Sequence, residues 1–270
     1  MIEDVRVGAL RLRVRISGPA EGPPVVMLHG GGLMGSTWRR VCENLPGYRC
    51  IAPDMRGHGD SDWGPPDDYT LTAYAGDLRQ IIEAYGISGK AHLVGMSLGG
   101  QVALHAVCHG LPVRSLCLVD VGPTIVRGGG RAIVEFLSHT GYPSFNAALE
   151  ASMAFNRRRS RESLAESLRR SMRETENGAW IWKWDPVRLT SRDNRADEAE
   201  TLWPLLGGID CPVLIVRGEE SPIFTAELAE PFAAALPDAT LACVADAGHN
   251  VQTDQPERLA ALLGEFWGGV

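Results

Sequence analysis

Residues 91–99 read AHLVGMSLG, an apolar run that ends in the pattern Gly-x-Ser-x-Gly. The residues that follow, 101–107, have the composition of a helix. In a sharp turn from strand to helix, flanking glycines allow the backbone to bend and leave the central serine exposed at the apex. The pattern therefore predicts that Ser97 is a nucleophile presented between a strand and a helix.

A second short strand is predicted at residues 25–28, and it runs into the loop HGGG, residues 29–32. Backbone N–H groups in a glycine-rich loop can approach a ligand closely. When a nucleophile attacks a carbonyl group, a negatively charged oxygen forms and needs hydrogen-bond donors. We expect the amides of Gly31 and Leu98 to serve as this oxyanion hole, with Gly32 as a further donor.

A serine hydroxyl is a weak nucleophile at neutral pH and needs a neighbouring base, which in turn needs a carboxylate to hold it in the useful tautomer. The best candidate base is His249, because it follows a strand-like run at 240–245. The other histidines lack such a context, and His29 is interpreted as a brace for the glycine-rich loop.

With these motifs in place, the chain resembles the α/β-hydrolase superfamily along residues 5–268. The stretch DMRGHGDS, residues 54–61, matches the turn that this family usually has after its next strand. The resemblance implies a serine hydrolase whose nucleophile, acid and histidine follow each other in that order along the chain.

The acid is the point at which this chain departs from the common pattern of the family. That pattern has an aspartate three residues after the glycine of RGEES, residues 217–221, where this chain has Ser221. Some members of the superfamily instead take their acid from the end of the sixth strand, which here is Asp120. We favour Asp120, because a triad acid must lie at a fixed strand end to orient the imidazole. The alternatives are Glu219, Glu220 and, more weakly, Asp246.

The strand-like runs alternate with helical patterns over much of the chain, which predicts a doubly wound, mainly parallel α/β sheet. The first two runs are close together and are expected to form an antiparallel edge. In sheets of this kind ligands bind beyond the carboxyl ends of the strands, where the candidate residues fall. The runs are Val5–Ala9, Leu12–Ile16, Val25–His29, Cys50–Asp54, Ala91–Met96, Ser115–Asp120, Val213–Arg217 and Thr240–Ala245.

Between Asp120 and Val213 the alternation stops, and roughly 90 residues contain no convincing strand, which is too long for an ordinary loop. We predict a helical cap at residues 123–206, inserted into a core domain made of residues 1–122 and 207–270. Trp180, Trp182 and Trp184 alternate along this insertion, so an extended backbone would place three indoles on one side. They either line a substrate pocket or pack the cap onto the core.

Composition limits the classes of function. The 270 residues carry a net charge of −7, which gives no general attraction to nucleic acid or to anionic membranes. No apolar run approaches the roughly 20 residues that span a bilayer, and we expect a cytoplasmic protein with a small-molecule substrate. The six cysteines lack C-x-x-C spacing, which argues against a zinc site or a disulfide scaffold. The chemistry requires no metal or organic cofactor, and the sequence does not indicate an oligomeric state.

The expected activity is hydrolysis of a carboxylic ester or lactone of a small hydrophobic substrate through an acyl-enzyme intermediate. Relatives that cleave haloalkanes or epoxides have an aspartate at the elbow, so the serine argues against both reactions. Two alternatives stay open. The HGGG loop is similar to that of hydrolases that cleave a carbon–carbon bond in diketone ring-fission products, and the same fold also serves small-molecule receptors that do not turn over.

Overall fold

The computed structural model describes residues 1–126, 128–189 and 192–269. Eight strands form one sheet in the order β1-β2-β4-β3-β5-β6-β10-β11. No helix in the described part of the chain is long and apolar enough to cross a membrane. The strands of this sheet are β1 Ile2–Val7, β2 Leu10–Ser17, β3 Pro24–Leu28, β4 Arg49–Pro53, β5 His92–Met96, β6 Ser115–Val119, β10 Val213–Gly218 and β11 Ala239–Val244.

The sheet is mainly parallel. Strand β1 pairs antiparallel with β2, and β2 pairs antiparallel with β4, whereas the five remaining pairs, from β4 across to β11, are parallel. Every residue of the central strands β5 and β6 is buried, as expected for strands covered on both faces. The predicted doubly wound α/β sheet with an antiparallel edge is therefore confirmed.

Helices cover both faces of the sheet. The side chains of the strands alternate between the two faces, and each face forms its own hydrophobic cluster with the helices that cover it. Val26 packs in one cluster with side chains of α2, α3 and α8, and Val25 packs in the other with side chains of α1, α9 and α10. This alternation follows the two-residue period of a strand. The helices of this part of the chain are α1 Arg39–Glu43, α2 Leu71–Ala84, α3 Leu98–Cys108, α8 Ala226–Ala234, α9 Val251–Asp254 and α10 Pro256–Gly268.

Residues 123–206, here called the inserted segment, leave the sheet after β6 and return before β10. Its described residues contain four α-helices and a hydrophobic cluster of their own. The expectation that this stretch lacks strands was wrong, since three short strands form a small antiparallel sheet in the order β7-β9-β8. The elements are α4 Arg131–Ser138, β7 Gly141–Tyr142, α5 Phe145–Phe155, α6 Arg161–Ser171, β8 Met172–Glu174, β9 Trp180–Trp182 and α7 Arg192–Glu200.

The turn at residues 54–61 joins the inserted segment to the core. The Gly59 amide donates to the carbonyl of Lys183 at 2.6 Å, and the Asp185 amide donates to the carbonyl of Gly57 at 2.8 Å. Lys183 also forms an ion pair with Asp60, with Nζ 2.9 Å from Oδ1. These contacts hold the end of the short sheet against the edge of the main sheet where β4 ends.

Candidate active site

Ser97 lies at the apex of a tight turn between β5 and α3. Its φ of 51° and ψ of −119° are unusual for a residue with a side chain. The turn requires glycine on both sides. A Cβ on Gly95 would lie 2.3 Å from the carbonyl oxygen of Gly99, and one on Gly99 would lie 2.4 Å from that of Leu28. The backbone is strained at a position where strain exposes the serine, which is typical of functional sites.

The glycine-rich loop after β3 lies directly against this turn. A Cβ on Gly30 would be 3.3 Å from Cβ of Ser97. The amides of Gly31, Gly32 and Leu98 donate to no acceptor in the described part of the chain, and all three residues line the same cavity as Ser97. The Leu98 amide is free because it belongs to the first turn of α3. The loop and the helix therefore present unpaired donors beside the serine.

His29 connects this loop to the loop after β4. Its Nδ1 donates to the Gly30 carbonyl at 2.8 Å, and its Nε2 accepts from the Met55 amide at 2.9 Å, an arrangement that assigns the proton to Nδ1. The side chain is fully buried. Burial lowers the pKa of His29 from 6.5 to about 4, so the ring is neutral at neutral pH.

We expect His29→Asn to reduce the dependence of stability on pH. The folded protein keeps His29 neutral down to about pH 4, whereas the unfolded chain protonates it below 6.5, so its stabilising contribution is complete above pH 6.5 and is lost as the pH falls. The loss amounts to about 2 kcal/mol by pH 5. Asparagine can still donate to Gly30 but leaves the buried Met55 amide without its acceptor.

Urea denaturation of both proteins at pH 7 and pH 5 tests this expectation. The stability difference between wild type and variant should shrink by about 2 kcal/mol at the lower pH. Comparing the two proteins is necessary because burial raises the pKa of Asp54 and of Asp77, and these shifts act on stability in the opposite direction. Equal changes in both proteins would show that the fold does not hold His29 neutral.

The structure brings His249 and Asp120 together. Nδ1 of His249 lies 2.7 Å from Oδ2 of Asp120, a carboxylate that is fully buried. Asp120 has a φ of 54° and follows the last residue of β6. Its Oδ1 accepts from the Gly218 amide at 2.9 Å, and its Oδ2 also accepts from the hydroxyl of Ser221 at 2.5 Å. Both carboxylate oxygens are thus held by donors from the end of β10 and from the turn that follows it.

The alternative acids lie elsewhere. Glu219, Glu220 and Asp246 are exposed, and Glu220 forms an ion pair with Arg158 of the inserted segment. Among the carboxylates of the described residues, that of Asp120 forms the hydrogen bond with the imidazole of His249. Ser221, at the position where the family resemblance led us to expect the acid, instead donates a hydrogen bond to Asp120.

A cavity of about 980 Å³ lies between the ends of the main strands and the inserted segment. Ser97 and His249 both line it, together with residues of α4, α5 and α6. Of the three alternating indoles, only Trp182 lines the cavity, and its Nε1 donates to the carbonyl of His139. Trp180 packs on Phe145 inside the inserted segment.

Trp184 also lies outside the cavity lining. Its ring stacks against the guanidinium of Arg188, with Cζ 4.4 Å from the ring centroid. Arg188 is a cavity residue that the sequence did not single out. Nothing in its neighbourhood distinguishes it from the many other arginines of the chain. In the sequence, Ser221 stands out only as a departure from the family pattern, and no local signal indicates its hydrogen bond to Asp120.

Comparisons with known proteins agree with this fold. The model of the alpha/beta hydrolase family matches residues 25–262. The esterase Rv0045c of Mycobacterium tuberculosis is 31% identical over 97% of this chain and 87% of its own length. A solved structure of that esterase superimposes with a TM-score of 0.80 at 27% identity, covering 99% of this chain and 92% of the other.

Two further relatives extend the comparison. The pimeloyl-[acyl-carrier protein] methyl ester esterase of Chromobacterium violaceum is 30% identical over 85% of this chain and 88% of its own. An alpha/beta hydrolase from Novosphingobium aromaticivorans superimposes with a TM-score of 0.84 at 25% identity, covering 100% and 99% of the two chains. The chain belongs to the alpha/beta hydrolase family and is a hydrolytic enzyme of the esterase type.

Proposed function

We propose that this enzyme hydrolyses a carboxylic ester or lactone of a small hydrophobic substrate through an acyl-enzyme intermediate, with Ser97 as nucleophile, His249 as base and Asp120 as acid. The observation that carries the proposal is the 2.7 Å contact between His249 Nδ1 and Asp120 Oδ2, at a cavity that Ser97 also lines. A cytoplasmic location remains a prediction from composition.

In the first half of the reaction, Nε2 of His249 takes the proton of the Ser97 hydroxyl while Oγ attacks the carbonyl carbon. The carbonyl oxygen becomes an oxyanion, and the amides of Gly31 and Leu98 stabilise it, with Gly32 as a further donor. The intermediate collapses, the bond between the acyl carbon and the leaving oxygen breaks, and Nε2 gives its proton to the departing alcohol.

In the second half, a water molecule gives a proton to Nε2 of His249 and attacks the acyl carbon. The bond to Oγ of Ser97 then breaks, the acid leaves, and the proton returns from Nε2 to the serine. Asp120 keeps the imidazole proton on Nδ1 throughout, and it stabilises the imidazolium that forms in each half. Because Asp120 is fully buried, the low dielectric around it strengthens this electrostatic interaction.

We further propose that residues 123–206 act as a cap that closes the cavity above the nucleophile. The support is that α4, α5 and α6 supply one wall of the cavity and that the segment has its own hydrophobic cluster. The cavity wall includes Phe136, Leu137 and Leu168, which suits a small hydrophobic acyl or alcohol group. A cap of this kind keeps bulk water away from the reacting carbonyl, while hydrolysis of the acyl-enzyme requires one water molecule to enter.

The proposal predicts multiple turnovers on simple esters or lactones. We would offer the purified protein p-nitrophenyl acetate, p-nitrophenyl butyrate, a series of lactones and an aryl 1,5-diketone, and follow product over many enzyme equivalents. Cleavage of the diketone with esters and lactones left intact would indicate carbon–carbon hydrolysis instead. A single stable adduct on Ser97 without release, seen by mass spectrometry, would indicate a receptor.

A further inference from the structure

Arg188 is a buried cation whose guanidinium forms no ion pair with the described part of the chain. Its side chain belongs to the short helical turn Pro186–Leu189, and the residue is only 2% exposed. Nε and Nη2 have no hydrogen-bond partner, and no hydrogen bond joins the guanidinium to a carboxylate of the described residues. Its close contact is the face of the Trp184 ring, which offers attraction but no hydrogen-bond acceptor.

The surrounding charges do not compensate for this burial. Asp185 attracts Arg188, but its two oxygens already accept hydrogen bonds from the Tyr69 hydroxyl and the Val187 amide. Arg195 lies nearby and repels it, while donating to the carbonyl of Arg188. Burial lowers the pKa of Arg188 to about 10, which still leaves the guanidinium charged at neutral pH.

A charged group that is buried without a partner is costly, and proteins normally pair such groups. The location of Arg188 indicates what the missing partner is. It lines the cavity beside the glycine-rich loop, since a Cβ on Gly31 would lie 3.2 Å from Nη1 and one on Gly32 would lie 3.3 Å from Nη2. An anion that reaches this guanidinium therefore occupies the substrate cavity, next to the amides proposed for the oxyanion.

We propose that Arg188 binds a free carboxylate carried by the substrate, so that the preferred substrate is a monoester of a dicarboxylic acid. This inference rests on the proposed ester hydrolysis and specifies its substrate class. The planar fork of a guanidinium matches the two oxygens of a carboxylate, and the pairing supplies acceptors for the donors that the protein leaves unpaired. Monoesters of small dicarboxylic acids combine a free carboxylate with a short apolar chain and an ester bond that the enzyme can hydrolyse.

The test compares each acid with its neutral amide. Monomethyl succinate, glutarate and adipate are offered beside the methyl esters in which the free carboxylate is replaced by a carboxamide, and the acid released is titrated at constant pH. We expect wild type to prefer at least one acid over its amide by about 10- to 100-fold in kcat/KM, mainly through KM. Arg188→Met should bring that ratio close to one, and Arg188→Lys should retain part of it.

Arg6→Met serves as a matched control, because it removes one positive charge from an exposed site outside the cavity. This variant should keep the wild-type ratio of kcat/KM on the acid to kcat/KM on its amide. A ratio is used because it separates recognition of the carboxylate from other roles of Arg188. If Arg188→Met slows the acids and the amides equally, the guanidinium acts on the oxyanion or on the fold, and the proposal is overturned.

A binding experiment separates this inference from the proposed function. The Ser97→Ala protein, with and without Arg188→Met, is titrated with the same monoesters and amides by calorimetry. Binding that favours the acids and depends on Arg188 supports the carboxylate site even if the wild type hydrolyses none of them. Hydrolysis of neutral esters without any preference for an acid, in turnover and in binding, overturns the carboxylate site and leaves the esterase proposal standing.

Discussion

Ser97→Ala is expected to lower kcat for ester hydrolysis by roughly 10⁴- to 10⁶-fold, because it removes the atom that forms the acyl-enzyme. The fold should be unaffected, since the backbone at this position is held by the Ser97 amide, which donates to the Val119 carbonyl at 3.1 Å, and by the glycines on both sides. The measurement is release of p-nitrophenol under substrate saturation, with the thermal midpoint recorded on the same samples.

Ser138→Ala is a suitable control for Ser97→Ala. Ser138 is an exposed serine at the end of α4 that bonds the Val134 carbonyl and does not line the cavity. We expect its turnover to stay close to that of wild type. If Ser97→Ala kept more than about one hundredth of the wild-type kcat, another group would have to be the nucleophile and the mechanism would be wrong.

Asp120→Asn is expected to lower kcat by about 10⁴-fold while preserving the shape of the site. The Gly218 amide needs an acceptor, so the asparagine oxygen faces Gly218 and its NH₂ group takes the place of the Oδ2 that now contacts His249. A donor there forces Nδ1 of His249 to act as acceptor and moves the ring proton to Nε2. Nε2 then cannot take the proton of Ser97.

The position of Ser221 offers a rescue of this variant. The Ser221 hydroxyl lies 2.5 Å from the Asp120 oxygen that contacts His249, so an aspartate at 221 would bring a carboxylate near the same imidazole. The double variant Asp120→Asn with Ser221→Asp should have a kcat at least about tenfold higher than that of Asp120→Asn alone, because the turn after β10 then supplies the acid. Steady-state kinetics of the two proteins on the same ester measure this recovery.

Glu219→Gln is the control for both Asp120 variants. Glu219 is exposed, and no hydrogen bond of the described structure links its carboxylate to His249. Its removal should change kcat by less than about twofold. A collapse of activity in Glu219→Gln with normal activity in Asp120→Asn would reverse the assignment of the acid.

Much of the fold was predictable because strand signals in this chain are local. Each of the eight predicted runs is a strand of the main sheet, with bounds that differ by a few residues. The inserted segment was harder. Its strands β7, β8 and β9 have only two or three residues, too few for a two-residue period to be recognised, and they form because their partners are supplied by the segment's own fold.

The candidate residues at strand ends were also predictable, because parallel strands present their carboxyl ends on one edge of the sheet. Ser97, Asp120 and His249 each follow such an end. The choice between Asp120 and the glutamates at 219 and 220 stayed open in the sequence, since all of these residues lie at or near strand ends.

The sequence by itself determined the succession of strands and helices along the chain, the strained turn at Ser97 and the glycine-rich loop. These features depend on residues that are neighbours in the chain. Tertiary structure alone decided the rest. Pairing of β6 with β10 sets Asp120 beside Gly218 and within reach of His249. Packing of the inserted segment buries Arg188, one of many arginines in the chain, without an acceptor in the described residues. Both outcomes depend on contacts between residues far apart in the chain, which local patterns do not encode.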